Sequence, residues 1–200
     1  MTTRKTVTCR PPIWIKLSIA RGNLLQATGL AAGAALLAVS AALTVAGMIR
    51  LAVALAGFLL IYDCSHAIGH YLAGRAVGIR FRFYGIRGTD HPEDYPPGFR
   101  QLMAAMPFWS VVTDKNSMRA AAPWRRALMF SAGETATATC STAAAYTVMA
   151  TGVPGGNVLF LVTVAWNAVS TITTARTPKG DYAKALSALR ARPAPLATAQ

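Results

Sequence analysis

No residue between Asn23 and Met48 is charged. A helix needs about 20 apolar residues to cross the hydrocarbon core of a bilayer, so this run predicts a membrane-spanning helix. A secretory signal is the competing interpretation, because basic residues precede the run and AVSA resembles a cleavage site. The length of the run and a basic leader that extends to Arg21 favour the helix.

The composition points to the same class. The chain is 54% hydrophobic and only 14% charged, which exceeds the apolar content of ordinary soluble domains. Its formal net charge is +13, but the basic residues are scattered between apolar segments and form no continuous patch. We therefore expect no nucleic acid partner, and we expect the basic residues to contact the anionic headgroups of a lipid bilayer.

We predict an all-α integral membrane protein with about four transmembrane helices and a cytoplasmic loop of mixed structure between helices 2 and 3. A basic leader (1–22) precedes the membrane domain (23–175), and a tail (176–200) with a short amphipathic helix and a disordered Pro/Ala-rich end follows it. Arg50 interrupts the apolar run, so we place the turn between the first and second helices there. The predicted helices are 23–49, 51–74, 127–152 and 153–175, and the loop is 75–126.

The distribution of Lys and Arg predicts the topology. The leader carries five, the first turn one, the long loop nine, the last turn none and the tail five. Because basic residues are retained in the cytoplasm, a multi-pass protein of the cell membrane with both termini cytoplasmic satisfies every segment. Within the loop, IRFRFYGI alternates apolar and basic residues with period two, which predicts a short strand.

The segment YDCSHAIGHYL places three ionisable side chains at the end of the second apolar run. Asp63, His66 and His70 are spaced i, i+3 and i+7, so they share one face of a helix. Two histidines at i and i+4 are the spacing by which one helix gives two nitrogens to zinc. Ionisable groups in a membrane helix usually mark a functional site, although polar packing and proton relay are alternatives to metal binding.

The spacing of the histidines does not identify a third metal ligand. Glu134 lies in the middle of the third helix, and Asp181 follows the last helix on the side where His70 ends. His91 lies in the hydrophilic loop, where a solvated turn residue is expected. Both carboxylates are therefore candidates, and Asp181 has the more suitable depth in the membrane.

The histidine segment resembles a family signature. HAIGHYLAGRAVGIRF is similar to the H-E-x-G-H-x-x-x-A/G-x-x-x-G-hydrophobic motif of the site-2 protease family of intramembrane zinc metallopeptidases. SAGETAT, and Asn167 followed by TPKGDYAKAL, resemble the family's A-G-P-x-x-N and N-x-x-P…D-G segments in the same order. The resemblance implies that His66, His70 and Asp181 bind Zn²⁺ with a water in the open fourth position.

The sequence departs from the family at the catalytic position. Ala67 stands where the family has its glutamate, and an alanine methyl group cannot transfer a proton. Glu134 or Asp63 would have to replace that base, unless Asp63 instead holds His66 by a hydrogen bond. Tyr182 also replaces the glycine that follows the aspartate.

These features predict a zinc-binding, site-2-protease-like homologue with weak or no proteolytic activity. The alternatives are an active intramembrane metallopeptidase, a non-enzymatic protein that binds transmembrane segments of partner proteins, and a metal-independent protein that handles ions or protons.

Overall fold

The structure is a computed structural model that describes residues 12–89 and 97–190. Its elements in chain order are β1 (Ile15–Leu17), α1 (Ile19–Ala42), α2 (Gly47–Ala76), β2 (Phe81–Arg87), α3 (Phe99–Ala105), β3 (Phe108–Thr113), α4 (Lys115–Ala120), α5 (Pro123–Ala150), α6 (Gly156–Arg176) and α7 (Asp181–Arg190). The four long helices, α1, α2, α5 and α6, form an antiparallel bundle, with the sheet at one end.

Three of these helices, α1, α2 and α6, are by length and composition able to cross a membrane, which supports a membrane protein. Helix α5 occupies the position of the third predicted span but is not among them. Its sequence is rich in Thr and Ser and contains Glu134, which lowers its hydropathy. Some of its hydroxyls are satisfied within the helix, because Thr135 and Thr147 donate to the carbonyls of Ser131 and Ala143 one turn earlier.

The predicted break at Arg50 is wrong. Helix α1 ends at Ala42 and α2 begins at Gly47, so Arg50 lies within the first turn of α2. Its guanidinium donates from Nε to the carbonyl of Ser40 at 3.0 Å and from Nη2 to the carbonyl of Thr151 at 3.3 Å. These carbonyls belong to the C-terminal ends of α1 and α5, where partners and positive charge are favourable. The Arg50 side chain therefore links α2 to the ends of α1 and α5 and does not mark the end of a helix.

Replacing Arg50 with methionine should lower the stability of the bundle. The variant loses two hydrogen bonds from a charged donor, each of which contributes about 1.5–3 kcal/mol when well formed. Thermal unfolding of the purified protein in detergent measures the loss, and Arg50→Lys should show a smaller decrease because it keeps the charge. An unchanged unfolding temperature for Arg50→Met would contradict this capping role.

Helices α1 and α2 pack closely because glycines face each other. A Cβ atom on Gly33 would lie 2.8 Å from the carbonyl oxygen of Gly57, and a Cβ on Gly57 would lie equally close to the oxygen of Gly33. Small residues at such crossings allow close approach of helices in lipid. This contact fixes α2, the helix that carries both histidines, against α1.

The sheet covers one end of the bundle. Its strands have the order β1-β2-β3 and are antiparallel, with Ile86 of β2 opposite Ile15 and Trp109. The alternation in IRFRFYGI correctly predicts β2. Tyr84 at the centre of the sheet is fully buried and donates its hydroxyl to Asn23 at the start of α1.

Helix α1 begins at Ile19, before the predicted start of the membrane domain, whereas α6 ends at Arg176, next to its predicted end. Strand β1 and the first turn of α1 lie in the segment assigned to the leader, whose residues 1–11 are outside the described part. After α6, helix α7 matches the predicted amphipathic helix and packs on α5 through Ala185 and Ala188 against Ala127 and Phe130. Residues 191–200, where disorder was predicted, also lie outside the described part.

Candidate metal centre

His66 and His70 lie one turn apart in the last part of α2. Their Nε2 atoms are 3.2 Å apart, and their rings meet edge to face. The helical spacing alone accounts for this, because residues i and i+4 lie on the same face. Both Nε2 atoms therefore face the same point, as the sequence predicts.

Asp181 joins the two histidines from a distant part of the chain. It is the first residue of α7, and the packing of α7 on α5 brings its carboxylate over the end of α2. Its Oδ2 atom is 3.1 Å from Nε2 of His70 and 3.4 Å from Nε2 of His66. The structure thus brings together, in one group that could hold a metal ion, the three residues for which the family resemblance implies that role.

The three ligand atoms have the spacing of a tetrahedral site. The edges of their triangle are 3.2, 3.1 and 3.4 Å. Zinc bound to nitrogen and oxygen at about 2.0–2.1 Å would place its tetrahedral ligands about 3.3–3.4 Å apart. The side chain of His66 is 32% exposed, that of Asp181 17% and that of His70 12%. The triangle therefore has the size to hold an ion, and the group is most exposed to solvent at His66.

The hydrogen bonds of the two Nδ1 atoms indicate which nitrogen of each imidazole would face a bound ion. Nδ1 of His70 is 2.7 Å from the carbonyl oxygen of Met129, which can only accept a hydrogen bond. Nδ1 of His66 is 3.2 Å from the hydroxyl of Thr137, which itself donates to the carbonyl of Gly133. Both imidazoles then carry their proton on Nδ1, and both Nε2 lone pairs point inward. Such outer hydrogen bonds are the usual support of metal-binding histidines.

This arrangement requires a positive charge at its centre. Two Nε2 lone pairs and a carboxylate oxygen lie within hydrogen-bonding distance of one another, and three acceptors repel unless a proton or a metal ion lies between them. Burial alone would raise the pKa of the Asp181 carboxyl, but when a proton on the imidazoles supplies that positive charge, hydrogen bonds from His66 and His70 and the charges of His70 and Lys184 hold that pKa well below its usual range. Asp181 is therefore an anion.

Glycine on α5 makes room for the site. A Cβ atom on Gly133 would lie 2.6 Å from Cε1 of His70 and closer still to Nε2, so a larger residue would occupy the space of the ring. A Cβ on Gly69 of α2 would lie 2.7 Å from Cβ of Ala136. The close contact of α2 and α5 thus depends on small residues on both helices.

The two carboxylates suggested as replacement bases lie outside the group of three described above. Oδ2 of Asp63 accepts a hydrogen bond from the indole of Trp109 at 3.0 Å, which directs it towards β3. Oε2 of Glu134 accepts from the hydroxyl of Ser170 at 3.4 Å, across the contact between α5 and α6. Ala67 is fully buried. Among the described residues, only His66, His70 and Asp181 form such a metal-binding group.

The remaining motif residues hold helices together. Nδ2 of Asn167 donates to α5 at the carbonyl of Ala138 and at the hydroxyls of Ser141 and Thr142. The hydroxyl of Tyr182 lies 3.0 Å from that of Thr135, which ties the start of α7 to α5. Asn167 therefore joins α6 to α5 and is not part of the metal-binding group.

Several supporting residues were not recognised from the sequence. Thr137 and the carbonyl of Met129 orient the imidazoles from another helix, and no local pattern indicates them. Lys184 was recognisable, because it follows Asp181 by three residues on the amphipathic helix, where side chains are neighbours. Its Nζ atom is 2.9 Å from Oδ1 of Asp181.

Comparison with known proteins finds no relative: no family model, no curated protein and no solved structure matches this chain. The fold and the site define a helical protein with three apolar helices suited to a membrane and a His-His-Asp group able to hold a metal ion.

Proposed function

We propose that this chain is a membrane-embedded zinc protein, a divergent homologue of the site-2 protease family, with weak or no proteolytic activity. The observation that supports it best is the triangle of two Nε2 atoms and one carboxylate oxygen, whose edges fit a tetrahedral ion. The order of the histidine pair and the aspartate along the chain also agrees with the family's motif.

The donor set favours zinc among common ions. Imidazole nitrogens suit transition metals, whereas Ca²⁺ and Mg²⁺ prefer all-oxygen sites. Three protein ligands with a partly exposed side are typical of catalytic rather than structural zinc sites. The three side chains are thus ligands of the kind that catalytic zinc sites use.

Proteolysis also needs a proton carrier. A zinc ion at such a site acidifies bound water and polarises a carbonyl group, but the proton must pass to a side chain. Ala67 has no proton to exchange, Asp63 accepts a hydrogen bond from Trp109, and Glu134, although near enough to His66, His70 and Asp181 to interact with their charges, accepts a hydrogen bond from Ser170. Loss of a general base costs a factor of about 10² to 10⁴ in rate. The chain is therefore better suited to binding than to turnover.

We also propose that all four long helices span the membrane with both termini in the cytoplasm. At the end of the bundle away from the sheet, the two turns 43–46 and 151–155 contain no Lys or Arg. The opposite end carries most of the basic residues, as expected for a cytoplasmic side that meets anionic headgroups. Helix α5 is the least apolar of the four, but it packs against α1, α2 and α6, and its Thr137 and Ser141 are buried.

The second candidate function is non-enzymatic binding of transmembrane segments of partner proteins. Helix α6 packs chiefly on α5 and α7 and leaves a broad apolar face exposed. In a bilayer this face meets either lipid or another helix. Its exposed large residues are Val158, Leu161, Val162, Val164, Trp166, Val169 and Ile172.

Restoring the base separates binding from catalysis. In zinc-loaded protein, Ala67→Glu should raise cleavage of a membrane-spanning reporter above the wild-type level, by up to about 10² to 10⁴-fold if the glutamate reaches the metal water. Because Ala67 is fully buried, the variant needs a check of folding by its zinc content. Ala67→Gln is the matched control, since it adds the same bulk without a carboxylate.

Glu134→Gln tests the opposite outcome. If wild type already cleaves the reporter and this variant does not, Glu134 is the base and the protein is an active peptidase. If the wild type binds no metal at all, the remaining candidates are non-enzymatic binding of transmembrane segments and a metal-independent protein that handles ions or protons.

A further inference from the structure

The carboxylate of Asp181 has different partners on its two oxygens. Oδ2 faces the histidines at 3.1 and 3.4 Å, while Oδ1 accepts a hydrogen bond from Nζ of Lys184 at 2.9 Å. A carboxylate that binds a metal through both oxygens must turn both towards the ion. Here one oxygen is held by an ammonium group.

Lys184 is also held by the helix that supports His70. Its Nζ atom lies 5.9 Å from the centre of the Phe130 ring, within the range of a cation–π contact. Phe130 follows Met129, whose carbonyl accepts the Nδ1 proton of His70. One turn of α5 therefore positions both the imidazole and the lysine that restrains the carboxylate.

We propose that Lys184 limits Asp181 to a single metal bond and thereby makes the centre selective for four-coordinate ions such as Zn²⁺ over Ca²⁺. This rests on the proposed metal site. Calcium takes six to eight oxygens and often uses both oxygens of a carboxylate, whereas zinc is satisfied by four ligands. The ammonium group blocks the second oxygen, and the two imidazoles supply nitrogen.

An ordinary helical ion pair is the competing explanation of this contact. Lys184 follows Asp181 by three residues, and its side chain is 40% exposed, so as a surface pair it would contribute little to stability. The two explanations differ in what they predict for the metal. An ion pair without a role in coordination leaves the geometry and choice of ion unchanged when it is removed.

Cobalt substitution tests the coordination directly. The full chain, purified in detergent and loaded with Co²⁺, should show the intense visible absorption of a four-coordinate ion. Lys184→Met keeps most of the length of the side chain but loses the charge, and should show the weaker absorption of a five-coordinate ion. Its preference for Zn²⁺ over Ca²⁺, measured by competition, should fall by about 10- to 100-fold, the range in which outer partners act.

Two control variants make the result specific. Lys184→Arg keeps a cationic donor and should retain the wild-type spectrum. Tyr182→Phe loses the contact with Thr135 that ties α7 to α5, but leaves the carboxylate and Lys184 in place, so it should also retain that spectrum. If Tyr182→Phe changes the spectrum as Lys184→Met does, the effect comes from docking of α7 and the proposal is overturned.

The outcomes separate this proposal from the metal site itself. A wild type that binds neither Co²⁺ nor Zn²⁺ would overturn both. A wild type with a four-coordinate spectrum that Lys184→Met leaves unchanged, with the same ion preference, overturns only the role of Lys184.

Discussion

Replacing either His66 or His70 with alanine should reduce bound zinc from about one ion per chain to nearly none. Each variant removes one of three ligand atoms that lie within 3.4 Å of one another. Two protein ligands alone would hold the ion too weakly for it to survive purification. The measurement is the metal content of purified protein by elemental analysis, with the stoichiometry confirmed by titration. Loss of metal at both positions with a folded chain would establish the site.

The third histidine of the chain gives a matched control. His91 lies outside the described residues and was expected to be a solvated turn residue, so His91→Ala should keep the full zinc content. The prediction fails if all three histidine variants bind zinc as the wild type does, or if the wild type is free of metal after growth with added zinc. It also fails if only His91→Ala loses the ion.

The histidine pair was predictable because its geometry is local. Residues four apart on one helix always share a face, so His66 and His70 converge in any fold that keeps α2 helical. Asp63 shared the same face by angle, yet Trp109 of a distant strand binds its carboxylate. The helical spacing predicts which side chains share a face of the helix. It does not predict which of them bind a residue from another part of the chain.

Asp181 was predicted from depth and motif order, not from local spacing. Its position depends on α7 packing across α5, a contact between apolar faces that are far apart in the sequence. Asp181 does lie beside His70, because the C-terminal part of α2 is on the side of the bundle where α6 ends and α7 begins. The same reasoning kept Glu134 as a candidate, because nothing in the sequence shows that its carboxylate lies beside Ser170.

The long helices followed from the apolar runs, but their ends did not. Arg50 was taken as a break because a charge in an apolar run is costly, whereas the carbonyl groups that accept its hydrogen bonds belong to Ser40 and Thr151. Strands β1 and β3 were not predicted. They are short and are stabilised by pairing with β2, and such non-local pairing is not visible in a single segment.

The second large effect on zinc binding is expected at Gly133, which has no side chain that could bind the ion. Gly133→Ala should weaken zinc binding by about 10- to 100-fold, because the added methyl group would overlap the ring of His70 at the edge that carries Nε2. The collision also overpacks the contact of α2 and α5, which should cost about 1–3 kcal/mol of stability. Zinc titration and thermal unfolding in detergent measure the two losses separately.

Gly33→Ala distinguishes a local collision from general loosening of the bundle. A Cβ atom there would lie 2.8 Å from the carbonyl oxygen of Gly57, so this variant overpacks α1 against α2 away from the imidazoles. It should lose stability to a similar degree and still bind zinc like the wild type. If Gly133→Ala retains wild-type affinity, His70 has room to move and its close fit to α5 does not determine the site. If both variants lose zinc equally, metal binding reports only the integrity of the bundle, and the close fit of the His70 ring to Gly133 has no specific role.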